Sequence, residues 1–131
     1  VGEWGGCLDV VRAGEDDAGT AGPMAGGVRG EGCRVGRRVR VGEAALTPEA
    51  DSRLFGAGGP GPVHGCDHWD STCNGTAFAA QKANGRHWDC GFANGHLYAG
   101  FPHLYWAGTP LPQRFVTAAA QYAQTKTGRT V

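Results

Sequence analysis

The sequence predicts an α+β fold, a small loop-rich single domain over residues 1–131 with a few short antiparallel strands and two short helices. Three observations predict it. Residues 33–41 (CRVGRRVRV) alternate apolar and basic side chains with the period of a strand. Residues 76–84 (TAFAAQKAN) and the stretch after Pro110 and Pro112 carry helix signals. Twenty-four glycines and seven prolines, with Asn-Gly pairs beginning at 74, 84 and 94, call for frequent turns.

Taken in order, residues 4–11 (WGGCLDVV) read as a turn and then a short strand burying Leu8, Val10 and Val11. Residues 14–32 read as loop. Their acids Glu15, Asp16 and Asp17 are adjacent, without the alternating spacing of a calcium loop. In the strand at 33–41, Val35, Val39 and Val41 share one face and Arg34, Arg38 and Arg40 the other. Those arginines, with Arg29 and Arg37, form a basic patch that discourages edge pairing or meets an anionic partner.

Residues 47–51 predict one helical turn, and 56–62 (GAGGPGP) a linker that lacks the Lys-Ser/Thr of a phosphate loop. The first helix is expected over 76–84, capped by Asn74 or Thr76 and stopped by Gly85. The second places Phe115, Ala119 and Tyr122 at helical spacing, with Lys126 near its end. Residues 96–98 and 104–106 between the helices read as extended.

Composition is uneven. Residues 1–62 hold 16 glycines and only Trp4 and Phe55 as aromatics, so 63–131 is expected to form the core and 1–62 to wrap it. Twelve basic and twelve acidic residues balance, which removes net charge as a reason for nucleic-acid or membrane attraction. No apolar run approaches the ~18 residues of a membrane span. Five cysteines fit two disulfides and a free thiol in an oxidising compartment, or five buried thiols in a reducing one. The glycan acceptor triplet Asn74-Gly75-Thr76 tilts the expectation to disulfides and an extracellular or other oxidising compartment.

Chemistry concentrates in residues 64–106, which hold all five histidines, three cysteines and three tryptophans. A first use is metal: His68, Cys73, His87 and Cys90 are ligand types that zinc accepts, although no cofactor is otherwise implied. A second is stacking. Trp69, Trp88, Tyr98, Tyr105 and Trp106 would cover a sugar face while Asp70 and Asp89 fix its hydroxyls. A third is acid–base cleavage of RNA, for which histidine beside an acid and a cation is suited.

For this last use a resemblance exists. Residues 73–81 (CNGTAFAAQ) look like the helix entry of fungal guanyl-specific ribonucleases, and Phe101-Pro102-His103-x-Tyr105 resembles their catalytic segment. Residues 108–116 are similar to a strand of that family, and Thr125-Lys126-Thr127-Gly128 to its Thr-His-Thr-Gly. The resemblance implies a catalytic set of His103 as base, Arg114, and Lys126 where the family has its acid histidine. A shorter one, Gly6-Cys7-Leu8-Asp9-Val10, is similar to the opening of a ricin-type lectin repeat and implies a β-trefoil.

The reading that follows is a non-enzymatic binding or structural module that contacts a glycan or protein partner through residues 64–106. Its alternatives are a secreted, degenerate ribonuclease-like protein acting on RNA, and a zinc-stabilised module.

Overall fold

The computed structural model describes residues 2–3, 5–56, 59, 61–95 and 97–127. The elements run β1 (Gly2–Glu3), α1 (Gly5–Leu8), β2 (Ala13–Glu15), β3 (Ala21–Pro23) and β4 (Glu31–Pro48). They continue with β5 (Gly61–Ser71), β6 (Phe78–Gln81), β7 (His87–Cys90), β8 (Phe92–Ala93), β9 (Tyr98–Gly100), β10 (His103–Leu104) and α2 (Leu111–Thr127). Among the described residues strand outweighs helix, 44% against 16%, so the class is β-rich and not the expected α+β.

A curled mixed sheet runs β10-β5-β4-β2-β3, with β6 farther along the edge of β4 that β2 also uses and β7 beyond β6. A second sheet runs β1-β9-β8. The expected set of short strands gives way to one long hairpin, because β4 spans 18 residues and pairs with 11-residue β5 across the compositional boundary.

β4 is not regular. It runs from Arg34 to Gly42 while β5 covers only Trp69 to Gly65, so extra residues of β4 bulge out. Arg40, at φ 52, lies in the second of the strand's two register shifts, between Val39 and Gly42. Gly65 lies against it, and a Cβ there would collide with the Arg40 carbonyl oxygen. A bulge exchanges the faces of a strand. Arg40 therefore turns inward, 11% exposed, while Val41 turns out at 44%. The expected split of valines inside and arginines outside holds only for the first part of β4.

Residues 76–84 are not a helix. Phe78 and Ala80 point into the core and Ala79 and Gln81 away from it, so this Phe/Ala run satisfies a period of two. The Asn84-Gly85 turn then returns the chain as β7, with Gly85 at φ 84. Residues 5–8 form a short helix where a turn and strand were expected, and β2 and β3 occupy the expected loop 14–32. The turn at 47–51 is not helical, because β4 continues to Pro48.

The C-terminal helix is present as α2, and Thr109 accepts the Leu111 N–H through its hydroxyl at 3.3 Å. Residues 73–81 and 108–116 thus carry strand and helix where the ribonuclease resemblance implies helix and strand. Of the linker, residues 57, 58 and 60 lie outside the described residues, as does Gly128 at the second helix stop.

Both halves of the chain build the core. One cluster joins Ala44, Leu46 and Phe55 to Val63, Phe78 and Tyr98. Phe55, Phe78 and Tyr98 meet edge to face at 4.9–5.9 Å. The other joins Cys7, Val11 and Val28 to Ala99 and Phe101.

All five cysteines are free, which overturns the expected disulfides. Cys33 faces Asp70 and donates to its carbonyl, four residues along β5 from Cys66. That offset is about 13 Å, beyond the Cα reach of a bridge. Cys7 and Cys90 are buried in different clusters. The glycan acceptor Asn74 has its amide donated to Asp70 at 3.0 Å.

Burial pushes the Cys7 thiol up to about 11 and Cys90 up to about 12. Partly exposed Cys66 and Cys73 should react first with a thiol reagent, then Cys33, whose thiol is raised by desolvation and Asp70. Cys7 and Cys90 should react only on unfolding. Fewer than five thiols in urea without reductant would contradict the free-thiol structure.

Candidate functional site

Three adjacent strands place polar side chains in one row. Glu43 on β4 pairs with His64 on β5, and His64 pairs with His103 on β10. The next rung, Ala44, Val63 and Leu104, is buried at 8%, 2% and 7%. Alternation therefore sends Glu43 and His64 to the opposite, solvent-facing side of the sheet, and His103 with them, half-buried and with its Nε2 covered. Tyr105 follows Leu104 and returns to the same side.

The row is hydrogen-bonded. His64 Nδ1 lies 2.9 Å from Glu43 Oε1, and the Tyr105 hydroxyl donates to both Glu43 oxygens at 3.2 and 3.3 Å. The His64 hydrogen bond holds the Glu43 carboxyl below its ordinary range against desolvation, with a lesser contribution from Tyr105. Tyr105 is raised, by desolvation and then by the Glu43 acceptor and charge. The His64 and His103 rings are perpendicular, with centroids 6.1 Å apart. With Nδ1–H donated to Glu43, Nε2 is the His64 nitrogen left to take a proton.

One cation reaches the backbone next to the row: Lys82 donates to the Val41 carbonyl beside Gly42. Arg38 Nε donates to His68 Nε2 at 3.0 Å, four residues or about 13 Å along β5 from His64. Among the described residues, neither Arg38 nor Lys82 makes an ion pair.

Beneath the row lies a second charged group. Arg40 Nη1 donates to Asp70 at 2.9 Å, Nη2 to the Trp69 carbonyl at 3.3 Å, and the guanidinium sits 4.8 Å from the Phe101 ring centroid. Asp67 is 2% exposed and 3.9 Å from Arg40 Nε, with no hydrogen bond to either carboxylate oxygen. Desolvation raises Asp67, while the charges of Arg40, His103 and His64 oppose the rise. Asp70 is also desolvated, yet bonds from Ser71, Asn74 and Arg40 hold it below its usual range.

The residues expected from sequence are dispersed. His103 is in the row. Arg114 packs on Gly56 and Lys126 over the Tyr122 ring. Twelve positions apart on one helix, they are separated by about 18 Å and cannot share a site. Of the five stacking rings only Tyr105 is exposed, at 46%. Tyr98 is core, Trp88 and Trp69 pack half-buried on the two clusters, and Trp106 meets Phe115 at 5.9 Å. Asp70 is taken by Arg40, and exposed Asp89 lies opposite Ala79 on β7.

His68 stands on β5, Cys73 just past it, and His87 and Cys90 at the two ends of β7. Among the described residues no three His, Cys, Asp or Glu side chains converge as metal ligands. Sequence reasoning missed Glu43 and Asp67, and put Arg40 on the outer face of its strand. Glu43 lies outside the histidine-rich stretch, and only strand register joins it to His64.

Because its folded-state pKa is lowered, Glu43 stabilises the fold above the ordinary carboxylate range. That contribution is lost as pH falls through the lowered value. Replacing His64 by Ala should return the Glu43 carboxyl towards its ordinary value, read by carboxyl carbon NMR. A Glu43 titration unchanged in His64→Ala would contradict the hydrogen bond. No protein-family model matches the chain and no curated protein matches it, so the functional reading rests on the geometry.

Proposed function

We propose that the Glu43–His64–His103–Tyr105 row is an acid–base site that cleaves RNA. The observation that carries this reading is the His64–Glu43 hydrogen bond beside His103 on the next strand. Two imidazoles side by side supply a base and an acid for proton transfer. No protein nucleophile is needed, because RNA brings its own 2′-hydroxyl.

His64 takes the 2′-hydroxyl proton at Nε2, and Glu43 stabilises the imidazolium that forms. The 2′-oxygen bonds to phosphorus, the bond from phosphorus to the 5′-oxygen breaks, and His103 protonates that leaving oxygen. A 2′,3′-cyclic phosphate and a 5′-hydroxyl result. Lys82, held beside Gly42, supplies positive charge where the phosphorane gathers negative charge. This assignment differs from the family resemblance, which casts His103 as base. Glycan stacking has less support, since Tyr105 is the single exposed ring among those expected to bind.

A single-stranded RNA oligonucleotide should be cut to a cyclic phosphate, and its all-deoxy counterpart should survive. His64→Ala and His103→Ala should each slow cleavage by about 10²–10⁴-fold. Intact RNA, or cleavage indifferent to both substitutions, would overturn the proposal.

A further inference from the structure

Helix α2 barely joins the fold. Along it Leu111 is buried, while Phe115, Val116 and Tyr122 are 44%, 60% and 48% exposed. Between the helix and the body lies a cleft of about 820 Å³. Phe115, Ala119 and Tyr122 line its helix side, and Leu54, Leu97 and Tyr98 its body side. The helix residues recur at the spacing of a single face, so this one face lines the solvent-open cleft. The volume is that of a small-molecule site, with mainly apolar walls.

Charge selects the occupant. Arg53 and Lys126 line the cleft, and among the described residues no acidic side chain does. Among the described residues neither makes an ion pair, and Lys126 rests 5.7 Å from the Tyr122 ring centroid. From Phe115 to Lys126 the helix advances about 16 Å, so the apolar stripe is long and ends at a cation.

We propose that this cleft binds a single-chain fatty carboxylate. The alkyl chain lies along Phe115, Ala119 and Tyr122, and the carboxylate meets Lys126 or Arg53. An apolar chain gains by leaving water, and a rim cation favours an anionic head over a cationic one. The site is separate from the histidine row, so it stands whether or not the chain cleaves RNA.

Calorimetry of the full chain with decanoate, kept below micelle formation, tests it, with decyltrimethylammonium as the cationic comparator. Decanoate should saturate at one per chain, and the comparator should bind at least about tenfold more weakly. Ala119→Trp substitutes at an exposed position and should fill the cleft and abolish binding, with circular dichroism reporting an intact fold. The surface variants Lys126→Glu and Arg53→Glu keep the test independent of that substitution. At least one should weaken decanoate several-fold and narrow its lead over the cationic amphiphile. Absence of saturable binding, equal affinity for the two head groups, or decanoate binding untouched by all three variants would overturn the proposal. So would a concentration-dependent dimer in sedimentation that Ala119→Trp dissolves, since a second copy would then be the occupant.

Discussion

The Arg40 guanidinium is where the two long strands are tied together. A charge this deeply placed needs partners, and it finds Asp70, the Trp69 carbonyl, the Phe101 ring and, at longer range, Asp67. To reach them the backbone adopts φ 52, an uncommon value for a residue with a side chain. Gly65 opposite makes this passable, because nothing larger fits against the Arg40 carbonyl. The knot takes up the last extra residue of β4, between Val39 and Gly42, after which Glu43 lies beside His64.

The site follows from that register. One rung, Ala44–Val63–Leu104, closes the core, and the neighbouring rung carries Glu43–His64–His103 outward. Packing and chemistry are thus two faces of the same three strands. Asp67 links them. It is buried on the inner side, and His64 and His103 both act on its ionisation through their charge. Since Asp67 is raised above its ordinary range, its contribution to stability is largest in acid. That contribution falls as pH rises through the raised value, opposite in sign to Glu43 and Asp70.

Local signals were legible where one periodicity had no rival. The strand at 33–41 and the helix after Pro110 are both present, and Asn84-Gly85 turns as its sequence demands. Residues 76–84 were ambiguous because a short Phe/Ala run fits either period, and the free edge of β4 decided for strand. Cysteine number could not reveal that Cys33 and Cys66 stand on different rungs. The aromatic stretch contains the core rings Phe78 and Tyr98, whose burial depends on Phe55 from the glycine-rich half. Of the candidate site, His103 was visible in its local motif, whereas Glu43 and Arg40 acquire meaning only through a bulge and a register.

The central claim is that Arg40 sets the register that assembles the histidine row. Proton NMR on the wild type and on Arg40→Gly, which tolerates the backbone angle while removing the guanidinium, tests it most directly. The account predicts cross-peaks between the His64 and His103 rings and from Tyr105 to Glu43 in the wild type. In Arg40→Gly it predicts loss of the Glu43–His64 contact, with the fold retained by circular dichroism. Cross-peaks absent from the wild type, or unchanged without the guanidinium, would contradict it.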